Sequence, residues 1–157
     1  AQGVSPEQPP GGYVIQNQIR AETGLQITPA SPASLQQAIE RMRSGGIVFT
    51  GVDRPVPGDK LNPKFFGQPS FLPTGAVRMA IKAEVPVIVV SSWMDADGRY
   101  HMDVSEPIPM EKYASRTATV LNNAEAVLEI VAAAVRRFPE QWLMFYPVWT
   151  IDPSEVP

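Results

Sequence analysis

Cysteine is absent from these 157 residues. That excludes a disulfide framework, a thiolate nucleophile and any zinc or iron–sulfur site built on thiolates. Histidine is nearly absent as well: His101 stands alone, so multi-histidine metal sites are excluded and only carboxylate sites would remain. Neither sign of charge is in large excess, with 13 Lys plus Arg against 16 Asp plus Glu, a net charge of -3 and a pI near 5.1. A broad basic footprint for nucleic acid is therefore not expected. Neither Gly-x-x-x-x-Gly-Lys-Ser/Thr nor Gly-x-Gly-x-x-Gly occurs, which leaves nucleoside triphosphate and dinucleotide binding unsupported. No apolar run is expected to reach the roughly 18 to 20 residues that span a bilayer, and Ala1 to Gly12 lacks a signal-peptide core.

What is present is an ordinary core composition, 44% hydrophobic and 8% aromatic, in a length that suits one domain. Seventeen prolines, about twice average usage, gather at both ends and around residues 55 to 73. The organisation expected is a disordered lead over 1–12, a single α/β domain over 13–149 and a tail over 150–157.

Periodicity fills in the domain. Tyr13 to Gly24 suits a short helix and Leu25 to Thr28 a short strand. Ser34 looks like the N-cap of a helix whose Leu35, Ala38, Ile39 and Met42 share one face, stopped by Gly45-Gly46. Ile47 to Val52 is an apolar strand, Pro73-Thr74-Gly75 opens a helix over 76–84, and Val85 to Trp93 is a second strand, parallel to the first. Asp97-Gly98 predicts a type I′ hairpin to an antiparallel strand, Arg99 to Val104. A long helix then runs from Thr117 or Thr119 to about Arg137, with a helical turn after Pro139. The expected architecture is α/β in three layers, a mixed sheet with helices on both faces, forming part of a longer fold.

Three constellations bear on chemistry. His101 and Glu106 are five residues apart, which on a strand means opposite faces and about 16 Å, so they cannot meet as a base and its orienting carboxylate. Asp95, Asp97 and Asp103 lack the remaining ligands of a calcium loop and are explained by the turn. The carboxyl edge of the strands is the better candidate, because ligands of open α/β sheets bind there. Thr50, Asp53 and Arg54 lie at one strand end, Ser91 to Trp93 at the next, and the Thr74-Gly75 helix start offers amides to an anion. From these residues alone, a loop ion pair and a simple N-cap remain the plainer reading.

A wider pattern weighs against that plainer reading. Gly45-Gly46 to Asp53-Arg54, Phe65-Phe66-Gly67 to Pro73-Thr74-Gly75-Ala-Val-Arg78, Pro86 to Val90, Asp97 to Tyr100, Glu106-Pro107-Ile108 and Pro139-Glu140-Gln141-Trp142-Leu143 follow one another in order. In order and spacing, from about Ile15 to Trp149, this resembles the C-terminal half of the lipid A biosynthesis lauroyl/myristoyl acyltransferases, within the lysophospholipid acyltransferase superfamily. The resemblance implies transfer of a fatty acyl group from an acyl thioester donor to a hydroxyl of a membrane lipid or glycolipid acceptor, at the cytoplasmic face of the inner membrane and without a cofactor. It implies substrate-binding roles for Asp53, Arg54, Phe65, Phe66, Gly67, Thr74, Gly75 and Arg78. Asp53 and Arg54 would orient head groups, Phe65 and Phe66 line an apolar wall, and Thr74-Gly75 hold an oxyanion or phosphate.

Two departures qualify the pattern. The family's upstream His-x-x-x-x-Asp/Glu motif, whose histidine deprotonates the acceptor hydroxyl, has no counterpart here, so no catalytic residue is assigned. After Trp142, Met144-Phe145-Tyr146-Pro147 replaces a basic end. The chain is thus expected to be part of a longer acyltransferase or a homologue without the catalytic half. The alternatives are a non-catalytic lipid-binding or interaction module and an unrelated doubly wound small-molecule-binding domain. As half of a longer fold it should also leave an apolar sheet edge or face uncovered, open to a partner chain or to self-association.

Overall fold

A computed structural model describes residues 1–5, 11–29, 31–56 and 59–149. The fold is α/β, with parallel and antiparallel strands, but the strands are divided among three small sheets. The first is parallel, in the order β2 (Gln26–Pro29), β1 (Gln2–Ser5), β3 (Val48–Phe49). Helix α1 (Gly11–Glu22) connects β1 to β2, and α2 (Pro32–Arg43) connects β2 to β3. The lead expected to be disordered therefore supplies the central strand at Gln2–Ser5, and its last two residues open α1; residues 6–10 lie outside the described residues. Local composition misled here because β1 has only four residues, too few for a periodic signal, and exists through pairing on both edges. Residues 150–157, the expected tail, also lie outside the described residues.

The capping chemistry of α2 begins three residues before the expected N-cap. Ser31 caps the helix, Pro32 takes the first position, and Ser34 at N3 closes a capping box with Ser31. Gly24 and Gly45, both at positive φ, end α1 and α2.

The expected strand over Ile47 to Val52 is regular only at Val48–Phe49, and it pairs with β1 rather than with the strand near residue 90. No parallel unit joins the two. Instead β6 (Val90–Met94) pairs antiparallel with β7 (Tyr100–Val104). The hairpin is where Asp97-Gly98 places it, with a different turn: Met94 faces Tyr100, leaving residues 95–99 as the loop, and of its residues only Gly98 has positive φ. Asp95 accounts for this, since its carboxylate accepts the amides of Asp97 and Arg99 and wraps the longer loop. The two-residue turn with positive φ at both positions lies at Phe66-Gly67, joining β4 (Lys64–Phe65) to β5 (Gln68–Pro69).

Helix α3 (Gly75–Ala83) and helix α4 (Arg116–Arg137) carry the core. Ser115, not Thr117 or Thr119, caps α4 through the Ala118 amide. One buried cluster joins Phe65, Leu72, Leu128, Ala132 and Val148, and a second joins Val77, Ala124 and Val127. Contrary to the expectation that no segment has that length, α4 is long and apolar enough to cross a membrane by length and composition. In this fold its buried stripe packs on α3 and β4, and Asn123 on that stripe is satisfied by Glu111 and Thr119. A 3₁₀ turn, Pro139–Gln141, follows α4, and its Gln141 amide group grips the Met94 backbone at both N–H and C=O.

Candidate functional site

A cleft of about 430 Å³ separates the segment after β3 from β6. Thr50 to Asp53 form one side, Val90 to Trp93 the other, and Val131, Ala134, Val135, Phe138, Trp142 and Leu143 the apolar floor and rim. The volume falls in the roughly 300–1,000 Å³ range of small-molecule sites. Two strand ends expected to be neighbours thus do face one site, across a gap rather than along a hydrogen-bonded edge.

Asp53 anchors the cleft. Its Oδ2 accepts from the Trp142 indole Nε1 at 3.2 Å, a contact across 89 residues that ties the end of the first sheet to the segment after α4. Trp142 in turn meets Phe65 edge-on at 5.7 Å, and Phe65 stacks on Trp149. Phe66 joins this cluster with its ring 4.6 Å from Phe65, under the Arg136 guanidinium. Phe66 holds φ 53, a conformation costly for a bulky side chain, and the aromatic contacts maintain it. Asp53, Phe65 and Phe66 are therefore linked through Trp142, while Gly67 at φ 77 supplies the turn.

Arg54 points elsewhere. Its Nη2 donates to the Tyr146 hydroxyl at 3.0 Å and its guanidinium lies over the Tyr146 and Tyr13 rings. Among the described residues it forms no ion pair with Asp53 or any other carboxylate, so the loop ion pair read from the sequence is not formed.

The start of α3 departs from expectation. Thr74 is fully buried, and both its amide and its hydroxyl donate to Asp59 Oδ2 at 2.7 Å. Arg78 donates through Nε to Thr74 Oγ1 and through Nη2 to Asp59 Oδ1. A carboxylate of the same chain thus takes the position expected for an oxyanion or phosphate at Thr74-Gly75, and Arg78 is committed to holding it. Burial pushes the Asp59 carboxyl up, but the Thr74 amide and hydroxyl, the Leu61 amide and the Arg78 charge outweigh it and hold it below the usual carboxylate value.

His101 is not an isolated hairpin residue. Its Nε2 lies 2.7 Å from Asp95 Oδ2 and its ring stacks on Trp93 at 4.2 Å. The hydrogen bond from His101, with the Arg99 and Asp97 amides, holds the Asp95 carboxyl below its ordinary value. His101 does not line the cleft, whereas Asp103, bound by Trp93 and Arg137, does. Among the described residues no three His, Asp or Glu side chains gather as a metal ion would require.

Trp93 lines the cleft as its strand end suggested, whereas Asp59, Asp103 and Arg137 are side chains that sequence reasoning did not place at a site. Arg137 was legible only as the last residue of a helix, and Asp59 lies in a loop whose path no periodicity specifies.

Comparison with known proteins bears on these features. The chain resembles phosphatidylinositol mannoside acyltransferases from Mycobacterium tuberculosis (strain CDC 1551 / Oshkosh), 22% identical over 139 residues, and Mycolicibacterium smegmatis (strain ATCC 700084 / mc(2)155), 23% identical over 139 residues. Each match covers 87% of this chain but 42% and 44% of the respective relative, so the chain spans less than half the length of the curated relatives it matches. The family model for bacterial lipid A biosynthesis acyltransferases matches residues 4–150, which takes in the cleft, the aromatic cluster and the Asp59 contact, and the chain belongs to that family.

Proposed function

We propose that this chain supplies the acyl- and acceptor-binding part of an enzyme that moves a fatty acyl group from an acyl thioester to a hydroxyl of a membrane lipid or glycolipid, at the cytoplasmic face of the inner membrane. The observation that carries the reading is the cleft itself: an apolar floor from α4, with the Asp53 carboxylate fixed at its edge by Trp142. The floor suits an alkyl chain, and Asp53 suits a hydroxyl donor on the acceptor. Arg54, held half-buried without a carboxylate partner among the described residues, suits an anionic head group.

In acyl transfer the hydroxyl oxygen attacks the thioester carbonyl, the carbon–sulfur bond breaks, the thiol leaves and a base takes the hydroxyl proton. His101 is engaged with Asp95 and is not among the residues that line the cleft. We therefore assign binding to these residues and the base to a part of the enzyme beyond them. Ala134 lies on the cleft floor, so Ala134→Trp should fill it. Fluorescence titration with a medium-chain acyl thioester below its micelle-forming concentration should show saturable binding in the parent and none in that variant. Equal binding in both would exclude the cleft.

A second reading, a non-catalytic interaction module, is favoured by one observation. In an antiparallel ladder alternate residues turn their backbone groups outward, and among the described residues, of Val90, Ser92 and Met94 on the outer edge of β6, only Met94 is capped, by Gln141. A strand from a partner chain or a second copy would pair there. Light scattering against concentration separates the two readings.

A further inference from the structure

Two consecutive residues reach opposite walls of the cleft. Gln141 ends the 3₁₀ turn after α4, and its side-chain amide accepts from the Met94 N–H at 2.7 Å and donates to the Met94 carbonyl at 2.9 Å, where the β6 wall ends. Trp142 is the next residue, and its indole holds Asp53 on the other wall. The turn makes this divergence rigid. With about 3.0 residues per 3₁₀ turn, consecutive side chains point about 120° apart. Pro139 fixes φ at the start of the turn, and the Gln141 and Trp142 amides donate to the Phe138 and Pro139 carbonyls. Both residues are half-buried and line the cleft. A glutamine suits the task because its amide carries a donor and an acceptor side by side, matching the N–H and C=O of one residue on a strand edge.

The two walls belong to different sheets, so no strand pairing sets their separation. The β6 wall is held at its start, where Val89 packs on the core cluster that also takes Val52 from the other wall, and at its end, where Gln141 takes Met94. Between these points Trp93 stacks on Phe138 at 4.5 Å. Stacked rings tolerate offset and slide in their own plane at little cost, whereas a pair of hydrogen bonds is directional and fixes a position. We infer that Gln141 is a specificity-determining positioning residue: with Trp142 it sets the separation of the walls, and through it the cross-section of the acyl chain that the cleft accepts. The inference rests on the acyl-transfer reading above. A gap with fixed walls takes an unbranched chain and clashes with a methyl branch, as overfilling a packed core does. A gap with one loose wall widens to take both.

The test is fluorescence titration with the N-acetylcysteamine thioesters of octanoic acid and of the same acid carrying a mid-chain methyl branch, on the parent, Gln141→Ala and Gln141→Glu. At neutral pH the glutamate accepts from the Met94 N–H but has no proton to donate to its carbonyl, so this second variant keeps half of the contact and guards against loss of fold in the first. One methylene in an apolar pocket is worth about 10–200-fold. The parent should therefore prefer the straight chain by at least about tenfold, Gln141→Ala should bring the ratio within about threefold by gaining the branched thioester, and Gln141→Glu should fall between. A purely structural role would weaken both thioesters in parallel and leave the ratio alone; that result would overturn the inference. So would a parent that binds the two thioesters equally. A parent that binds neither would refute the acyl-transfer reading, and the inference with it.

Discussion

The Trp142 indole N–H donates to the Asp53 carboxylate at 3.2 Å, and through this contact the segment after α4 closes onto the end of the first sheet. Trp142→Phe keeps an aromatic ring near Phe65 but removes the donor together with part of the indole's packing surface. A net loss of about 1–3 kcal/mol in urea-unfolding stability is expected from the bond and the lost packing, together with weaker binding of a soluble hydroxyl acceptor as Asp53 loses its anchor. A variant with parent stability and parent binding would show that the bond positions nothing.

Phe65 is almost wholly buried between Leu72, Leu128 and Val148, so Phe65→Ala should cost about 3–5 kcal/mol in chemical denaturation. Phe66→Ala should cost well under half of that, because Phe66 is only half-buried, and alanine keeps the Cβ that makes its positive φ costly. Equal losses would mean that the strained residue contributes as much packing as its buried neighbour.

Asp59 makes stability depend on pH in a defined sense. Its carboxyl is depressed in the folded chain, so the unfolded chain binds the proton more readily; its stabilisation is complete above the ordinary carboxylate value and is lost as pH falls through the lower folded value. At neutral pH, Asp59→Ala should unfold at lower urea, by about 1–3 kcal/mol. The gap between parent and variant should narrow as the solution is taken from neutrality to below about pH 4. A gap independent of pH would show that the ionised carboxylate is not what holds Thr74 and Arg78.

Legibility in the sequence followed the length of each signal. Helix α4 and the helix opened by Thr74 were readable because their apolar stripes repeat over several turns, and the β6–β7 hairpin because Asp97-Gly98 punctuates it. Strand β1 was not, since four residues carry no period and its order comes from partners more than twenty residues away. The pairing of β3 was misjudged for the same reason: with β1 unseen, the strand near residue 90 was the remaining partner. At the site, roles for Asp53, Phe65 and Phe66 came from the family resemblance and not from residue type; their union depends on Trp142, and the occupation of the α3 start depends on Asp59. Both are contacts between distant segments that no local pattern encodes.

The account stands most directly on what the chain does with an acyl thioester. Isothermal titration calorimetry with a medium-chain acyl thioester below its micelle-forming concentration, in the presence of a soluble hydroxyl acceptor, reads binding and turnover together. The account predicts saturable heats with a flat baseline after each injection, which means occupancy without acyl transfer. Heats that never saturate would contradict binding; a sustained heat flow growing with donor concentration, abolished by Asp53→Asn and untouched by His101→Ala, would contradict the absence of a base and make Asp53 that base.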